Sequence, residues 1–427
     1  MGNMQYEISN FIEENNVKFI RLAFCDIYGN LKNISISSDE LDKAFDSGIS
    51  FDASSVKGFL NVEKSDLMLF PDPETLQILP WRPSSGKVVM MYCDIKYPDN
   101  TPFEGDGRYL IKNLNKKIKK EGLSFKIGSE CEFYLFKLNE QGNPSHVPLD
   151  NGTYLDFAPK DKGENIRRDI CLTLQEMGFH TERSHHENGP GQMEIDFSYS
   201  NLLNSADNLT TFKSVVKSTA SLNGLFASFL PKPIEEASGN GLHVNISIRA
   251  QEAVDNSQLR KYMIGGILKH SKEISIFTSP IYNSYQRLGR CEAPNRIGWG
   301  YENRSTTIRI PRTKGKYNRL EVRNPDTSAN PYITFTLICE AALEGIINKI
   351  DPPEPIDINA FENTTGEFLP KTMEEAIDLA KNSEFLKRVL PQKLIDTYLA
   401  LKTDEVNEYK ECNETKKLTE EKYFPIY

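Results

Sequence analysis

Four stretches of the chain alternate apolar and polar residues with a period of two, and their polar faces carry an unusual set of side chains. In GSECEFYLF (128–136), Glu130, Glu132 and Tyr134 share one face and Cys131, Phe133 and Leu135 the other, which predicts a strand. In ERSHHENGPGQMEIDF (182–197), Glu182, His185, His186 and Glu187 precede a Gly-Pro-Gly turn, after which Glu194 and Asp196 alternate with Ile195 and Phe197. GNGLHVNIS (239–247) sets His243, Asn245 and Ser247 against Val244 and Ile246, and NRLEVR (318–323) sets Arg319, Glu321 and Arg323 against Leu320 and Val322. A lone E-x-E is most simply a solvated sheet face. Here four strands with apolar backs present Glu, His and Arg, where an ordinary half-buried sheet presents Lys, Thr and Ser. Carboxylates side by side repel unless a positive charge lies between them. The pattern therefore predicts the lining of a site for hard divalent cations.

The remaining periodicity predicts the surroundings. Residues 4–15 have a helical pattern, and VKFIRLAFCDIYGNLKNISI reads as two strands about the turn Tyr28-Gly29-Asn30. Ser38 is placed to cap a short helix over DELDKAF. Short strands continue to VVMMYCDI (88–95), and the turn-rich PDNTPFEGDG (98–107) marks a domain boundary. The division is 1–103, small and strand-rich, and 104–427. Helices are predicted at 108–121, 164–177, 205–226, 330–349, 373–389 and about 391–411.

Bulk properties narrow the classes. The 427 residues suffice for one large or two medium domains, and 26% charged with 38% hydrophobic residues is ordinary globular material. A net charge of −9 argues against nucleic acid or an anionic membrane as a partner. Seven cysteines without CxxC pairs fit reduced thiols, and the first residues have neither a basic start nor an apolar signal core, so a cytoplasmic location is expected. YITFTLICEAALEGII (332–347) is interrupted by Glu340 and Glu344 and predicts a buried helix, not a membrane span.

The candidate ligands are Glu130, Glu132, Glu187, Glu194 and Glu321, with His243 as the imidazole. Oxygen-rich ligation with one histidine suits magnesium or manganese better than zinc. So many carboxylates suit two divalent ions, or two plus a third accompanying a nucleotide. Any one of these glutamates alone could be a surface ion-pair partner; all of them on alternating strands make that reading poor. Opposite them in an acidic chain stand Arg287, Arg290, Arg296, Arg304, Arg309, Arg312, Arg319 and Arg323, with Lys314 and Lys316 between. A solvated basic face accounts for Arg290, Arg296 and Arg312, but not for Arg309 and Arg323, which alternate with apolar residues. Cations facing arginines across a cavity is the arrangement phosphoryl transfer requires. No Walker loop or kinase glycine-rich loop is present. Spacing leads to a metal-dependent, phosphate-handling enzyme and does not name the acceptor.

These stretches, together with FDASSVKGF, LDFAPKDKGENIRRDI, NSYQRL, CEAP, NRSTTIRIP and RLEVRNPDTSANPY, stand in the order of the motifs of type I glutamine synthetase, and the chain resembles that family from about Val17 to its C-terminus. The resemblance implies an α+β fold, with a small β-grasp-like N-terminal domain (1–103) and a catalytic domain (104–427) whose curved antiparallel sheet is backed by helices. It implies ATP-dependent ligation of ammonia to L-glutamate through γ-glutamyl phosphate, with two to three Mg2+ or Mn2+ ions per site. Sites would lie between subunits of two stacked hexameric rings; regulatory partners are left open. Glu132, Glu187 and Glu194 would hold one metal, and Glu130, His243 and Glu321 the second. Arg287, Arg304 and Arg323 would bind glutamate and the γ-phosphoryl group, with Arg309 beside the phosphates. Glu182, Ser247, Lys316 and Arg319 match nucleotide-contacting positions, and Gly239 a substrate-contacting glycine. Glu292 matches the flap glutamate, and Asp52 the acid that a neighbouring subunit supplies to bind and deprotonate ammonium.

The chain departs from the family pattern in four places. The flap from Arg287 to Glu292 is one residue shorter than RLVPGYE, with Arg290-Cys291 in place of its Gly-aromatic pair. Ser238 replaces an asparagine. Phe361 stands where adenylylated relatives carry their modified tyrosine, so that control is not expected. Asn61 replaces the arginine expected in the short subclass, so feedback by glutamine is expected to differ. Two competing readings are a γ-glutamyl ligase for a larger amine, which would lack need of Glu292 and Asp52, and a non-catalytic homologue, which would show a decayed ligand set.

Overall fold

β1 (Val17–Cys25), β2 (Leu31–Ser37), β3 (Ile49–Asp52), β4 (Asp66–Pro71), β5 (Gln77–Ile78) and β6 (Lys87–Lys96) form the first sheet of the chain, in the order β2-β1-β6-β4-β3 with β5 also on β6. The structure is a computed structural model that describes residues 3–81, 86–250, 256–312, 319–362 and 365–427. β1 and β6 run parallel at the centre and the other neighbours are antiparallel, the β-grasp arrangement. The helices Asn3–Glu14 and Leu41–Ser47 close one face over a core that includes Ile8, Leu22, Leu69 and Met91. The other face, with Ala23, Met90 and Tyr92, joins the main core. Ser38 does not cap a helix. It opens a 3-10 turn, Ser38–Glu40, and the helix proper starts at Leu41 without a side-chain cap.

The second sheet contains β7 (Leu123–Leu138), β8 (Pro144–Pro148), β9 (Thr181–His186), β10 (Gln192–Phe197), β11 (Ser200–Asn201), β12 (Leu225–Ser228), β13 (Leu242–Ala250), β14 (Trp299–Tyr301), β15 (Ile308–Ile310) and β16 (Leu320–Val322). Its order is β14-β15-β16-β13-β7-β10-β9, with β8, β11 and β12 completing the long central strand β7. The apolar backs of these strands pack on helices that include Gly107–Lys120, Glu164–Glu176, Leu202–Leu222 and Pro331–Ile347; the Phe133 and Phe212 rings, for example, meet edge-on at 6.2 Å. Helices thus cover one face only, which leaves the polar face open to a cavity. Among the described residues no helix is long and apolar enough to cross a membrane.

Two predicted helices are drawn differently. The 205–226 helix spans Leu202–Leu222; Gly224, with φ +68°, ends it, and Leu225–Ser228 turns back as β12 on β7. The 373–389 helix is two, Met373–Lys381 and Glu384–Val389, because Ser383 caps the second through its hydroxyl, which accepts from Leu386 N at 3.0 Å. A further helix, Thr415–Lys422, follows.

Two polar anchors hold the first sheet against the second unit. Asn330 caps the Pro331–Ile347 helix and also donates its amide to the Ile27 carbonyl at 3.1 Å. The turn at Gly29 (φ +81°) lies so close that a Cβ there would come within 2.8 Å of the Asn330 Cα. Arg108 is buried and its guanidinium is shared between Asp72 and Asp94 of the first unit and Asp207 of the second, which also accepts from the Tyr332 hydroxyl at 2.6 Å. Removing one partner from such a cluster leaves the others charged and dry. Arg108→Met is expected to lower unfolding stability by about 3–5 kcal/mol, measured by urea denaturation; a loss of under about 1 kcal/mol would contradict that role.

Candidate active site

Strand register turns the sequence alternation into rows. One row is Glu132 on β7, Glu194 on β10 and His185 on β9. The next is His243 on β13, Glu130 on β7, Asp196 on β10 and Arg183 on β9. A third is Arg309 on β15, Glu321 on β16 and Asn245 on β13. A β-bulge helps at the edge: Phe197 pairs with Thr181 and Asp196 with Arg183, so Glu182 is an extra residue, re-aimed into the cavity.

The rows floor a cavity of about 560 Å³. Of the candidates named from sequence, Glu130, Glu132, Glu182, Glu187, Glu194, Gly239, His243, Arg287, Glu292, Arg304, Arg309, Arg319 and Arg323 line it, and so does Arg312, against the expectation of a solvated basic face. Glu321 lies just beneath, 1% exposed. Two do not join it. Ser247 sits further along β13, opposite Lys126. Asp52 is on the surface of the first unit, where its carboxylate accepts from Ser54 N at 3.0 Å and the Ser55 hydroxyl at 2.7 Å. Lys314 and Lys316 lie outside the described residues.

Ligand atoms of Glu130, His243 and Glu321 come within 4.8 Å of one another, and so do those of His185, Glu187 and Glu194. The first trio is the second metal set expected from sequence. In the other, His185 stands with Glu187 and Glu194, and Glu132 is their cross-strand neighbour. The charge state of the floor reflects crowding. Burial and the neighbouring Glu187 push Glu132 up to about 8, and burial with Asp196, Glu132, Glu130 and Glu187 pushes Glu194 well above the usual carboxylate range. Burial would raise Glu130 too, but the hydrogen bond from His243, the Arg319 charge and the Asn245 amide act against it and hold it low. Burial and Arg323 lower His243, which keeps its imidazole neutral and able to ligate. A crowded set of carboxylates with the imidazoles of His243 and His185 beside it is still oxygen-rich and fits hard divalent cations.

The arginines complete the charge pattern. Arg323 Nη1 donates to Glu321 Oε1 at 2.5 Å and Arg309 Nη1 to Oε2 at 2.6 Å. Arg287 donates to the carbonyls of Asn324 at 3.0 Å and Arg323 at 3.3 Å. The buried Nε of Arg287, Arg309, Arg319 and Arg323 has no hydrogen-bond partner among the described residues. Orphaned guanidinium donors beside a cation-demanding floor call for an anionic ligand.

Comparison with known proteins agrees with this geometry. The family described as "Glutamine synthetase, catalytic domain" matches residues 104–421, and "Glutamine synthetase, beta-Grasp domain" matches 16–98. The chain belongs to the glutamine synthetase family. Glutamine synthetase of Methanosarcina mazei is 44% identical over 421 residues, covering 95% of this chain and 94% of that protein. That of Clostridium saccharobutylicum is 43% identical, covering 95% of each. Among solved structures, a GmaS/ADP complex superposes with a TM-score of 0.87 at 27% identity, over 96% of this chain and 98% of that one.

In this glutamine synthetase family member a polar hub sets the floor. Gln192 Nε2 donates to Glu132 Oε2 at 3.2 Å and to the Gly239 carbonyl at 3.1 Å, and its Oε1 accepts from Gly189 N at 2.9 Å. Tyr134 adds a bond from its hydroxyl to the Ser238 carbonyl at 2.6 Å. A Cβ at Gly239 would lie 2.4 Å from the Pro231 carbonyl, so only glycine fits between that loop and Arg287. The shortened flap is a tight hairpin turn. Gly289 N bonds Ala293 O at 2.8 Å, Ala293 N bonds Arg290 O at 2.9 Å, and Cys291 and Glu292 both have positive φ, 45° and 63°. The Glu292 carbonyl accepts from Arg323 Nη2 at 3.3 Å, and its carboxylate lies 3.9 Å from Arg304. Phe361 is 39% exposed in the turn Ala360–Glu362, and Asn61 is exposed beside Glu63.

Sequence reasoning passed over Gln192, Arg183 and Asp196 as site residues. All three had the same signal, a period-two spacing from Glu194 or His185, but the bonds of Gln192 to Glu132 on β7 and to the Gly239 carbonyl depend on the fold.

Glu132 yields the sharpest check. Below about pH 8 its carboxyl holds a proton that a cation must displace, so Mn2+ affinity is expected to rise as pH climbs toward about 8. Glu132→Gln should bind Mn2+ more weakly and with a shallower pH dependence, since Glu194 and Glu187 still have raised carboxyls. Calorimetric titration from about pH 6.5 to about pH 9 measures both; an unchanged curve in the variant would remove Glu132 from the ligand set.

Proposed function

We propose that this protein is a glutamine synthetase: it joins ammonia to L-glutamate with ATP, through γ-glutamyl phosphate. The observation that carries this reading is a single cavity in which a crowded carboxylate floor faces arginines with orphaned donors. Bound divalent cations would neutralise the phosphates and polarise the γ-phosphoryl group; Mg2+ or Mn2+, two to three per site, fits the donor set. Glu132, Glu187 and Glu194 would hold one ion, with His185 at hand, and Glu130, His243 and Glu321 another. Arg287, Arg304 and Arg323 would orient glutamate so that its γ-carboxylate oxygen attacks the terminal phosphorus of ATP and ADP leaves. Arg309 would offset charge on the phosphoryl oxygens, while Glu182, Ser247, Lys316 and Arg319 would hold the nucleotide. Ammonium would lose a proton to an anionic side chain, Asp52 or Glu292, before its nitrogen attacks the acyl carbon and phosphate departs.

We divide the chain at 103/104 into a β-grasp and a catalytic domain, and place the enzyme in the cytoplasm, which suits its seven free cysteines. It would act as stacked hexameric rings. That reading is supported by Asp52, which stands outside the cavity of its own chain. Mixed reassembly of inactive Asp52→Ala and Glu321→Gln chains should recover part of the activity, because some shared sites would receive both intact groups. Mixed rings that stay inactive would exclude a shared site.

The tight flap bears on the amine. Closure over γ-glutamyl phosphate excludes water that would hydrolyse it. Wild type should couple ATP consumption to glutamine formation with ammonium, and Glu292→Ala should lose about 100-fold in ligation while leaking phosphate. A wild-type preference for a polyamine at matched concentration would instead make the protein a γ-glutamyl ligase for larger amines.

A further inference from the structure

The cavity has a second cationic wall that no role above uses. Arg309, Arg319 and Arg323 lie on or next to β15 and β16, toward one end of the strand order, and line the cavity from there. Arg183 comes from the opposite edge, on β9, at the end of the row that runs His243, Glu130, Asp196, Arg183. The bulge at Glu182 matters here. In a regular strand Glu182 and Arg183 would face opposite ways; with the extra residue both line the cavity.

Arg183 is anchored and available at once. Its Nη2 lies 2.6 Å from Asp196 Oδ2, and Asp196 is buried at 5% while the Arg183 side chain is 62% exposed. The guanidinium is therefore held from behind by ion pairing with a buried carboxylate, and it makes no side-chain hydrogen bond elsewhere among the described residues. A planar fork held this way matches a phosphate better than a monovalent ammonium would. Between Arg183 and the β15–β16 arginines the floor carries Glu130, His243 and Glu321, the residues that would hold a cation, so a polyphosphate lying across it would have Arg309 and Arg319 toward one end and Arg183 at the other.

We infer that Arg183 is a further phosphate-binding residue, gripping the polyphosphate chain of the nucleotide from the β9 edge. The inference rests on the ligase reading of the same site. It assigns Asp196 a positioning role, as the group that orients Arg183.

The experiment is calorimetric titration of the assembled full-length protein with ADP and, separately, with adenosine at a fixed saturating Mg2+ concentration. Arg183→Met should bind ADP roughly 10- to 100-fold more weakly, from the loss of charge-assisted hydrogen bonds, with adenosine affinity unchanged. Arg183→Lys, which leaves Asp196 a counter-ion, should fall between the two and gives the same answer if Arg183→Met does not fold. Unchanged ADP affinity in both variants would make Arg183 only the counter-ion of Asp196. Equal losses for ADP and adenosine would make its effect structural; either result overturns the inference. Wild type that binds no ADP would overturn the ligase reading itself.

Discussion

Carboxylates gathered on one dry sheet face are the constraint on which the rest of the molecule depends. Glu130, Glu132, Glu194, Asp196 and Glu321 all sit on neighbouring strands with little exposure to water. Their mutual repulsion in a low dielectric would push the face apart or protonate it, and the raised Glu132 and Glu194 show the second response. Guanidinium groups relieve part of the strain: Arg323 and Arg309 on Glu321, Arg183 on Asp196. Divalent cations relieve the remainder, so metal affinity, arginine placement and the pH response are consequences of one charge distribution.

Holding that distribution requires rigidity behind and around it. The apolar back of the sheet is packed on helices, which keeps the rows in register. In front, Gln192 bonds Glu132, Gly189 and the Gly239 carbonyl, and Tyr134 bonds the Ser238 carbonyl, which ties the turn before β10 and the Ser238–Gly239 loop to Glu132. A preorganised floor is what phosphoryl transfer needs, since most of its barrier is lowered by fixed charges already in place. The flap is the contrasting element. Two consecutive non-glycine residues at positive φ cost about 1–2 kcal/mol each, and the Arg323 bond to the Glu292 carbonyl ties that strained turn to the same arginine that braces Glu321.

Much of this was legible from residue order. Period-two alternation identified the strands that carry Glu130, Glu194, His243 and Glu321, because one buried face forces that alternation whatever the partner strands are. The chemistry of the polar faces then indicated hard cations and an anion. Helix ends were less legible: the 205–226 and 373–389 patterns ran through Gly224 and Ser383, where a left-handed turn and a hydroxyl cap override continued apolar spacing. The Ser38 cap failed because the backbone there forms a 3-10 turn first.

By itself the sequence determined which side chains share a face, that the face is acidic with one imidazole, and that a basic segment must meet it, since alternation and charge are local properties. Only the tertiary structure decided who stands beside whom. Strand register brought Arg183 against Asp196 and His185 against Glu194, a single-residue bulge turned Glu182 into the cavity, and the fold left Asp52 outside it. Alternation assigns a face but not a partner: a slip of one residue between β9 and β10 would pair different side chains, and that register is settled by the bulge and by the packing of the whole sheet.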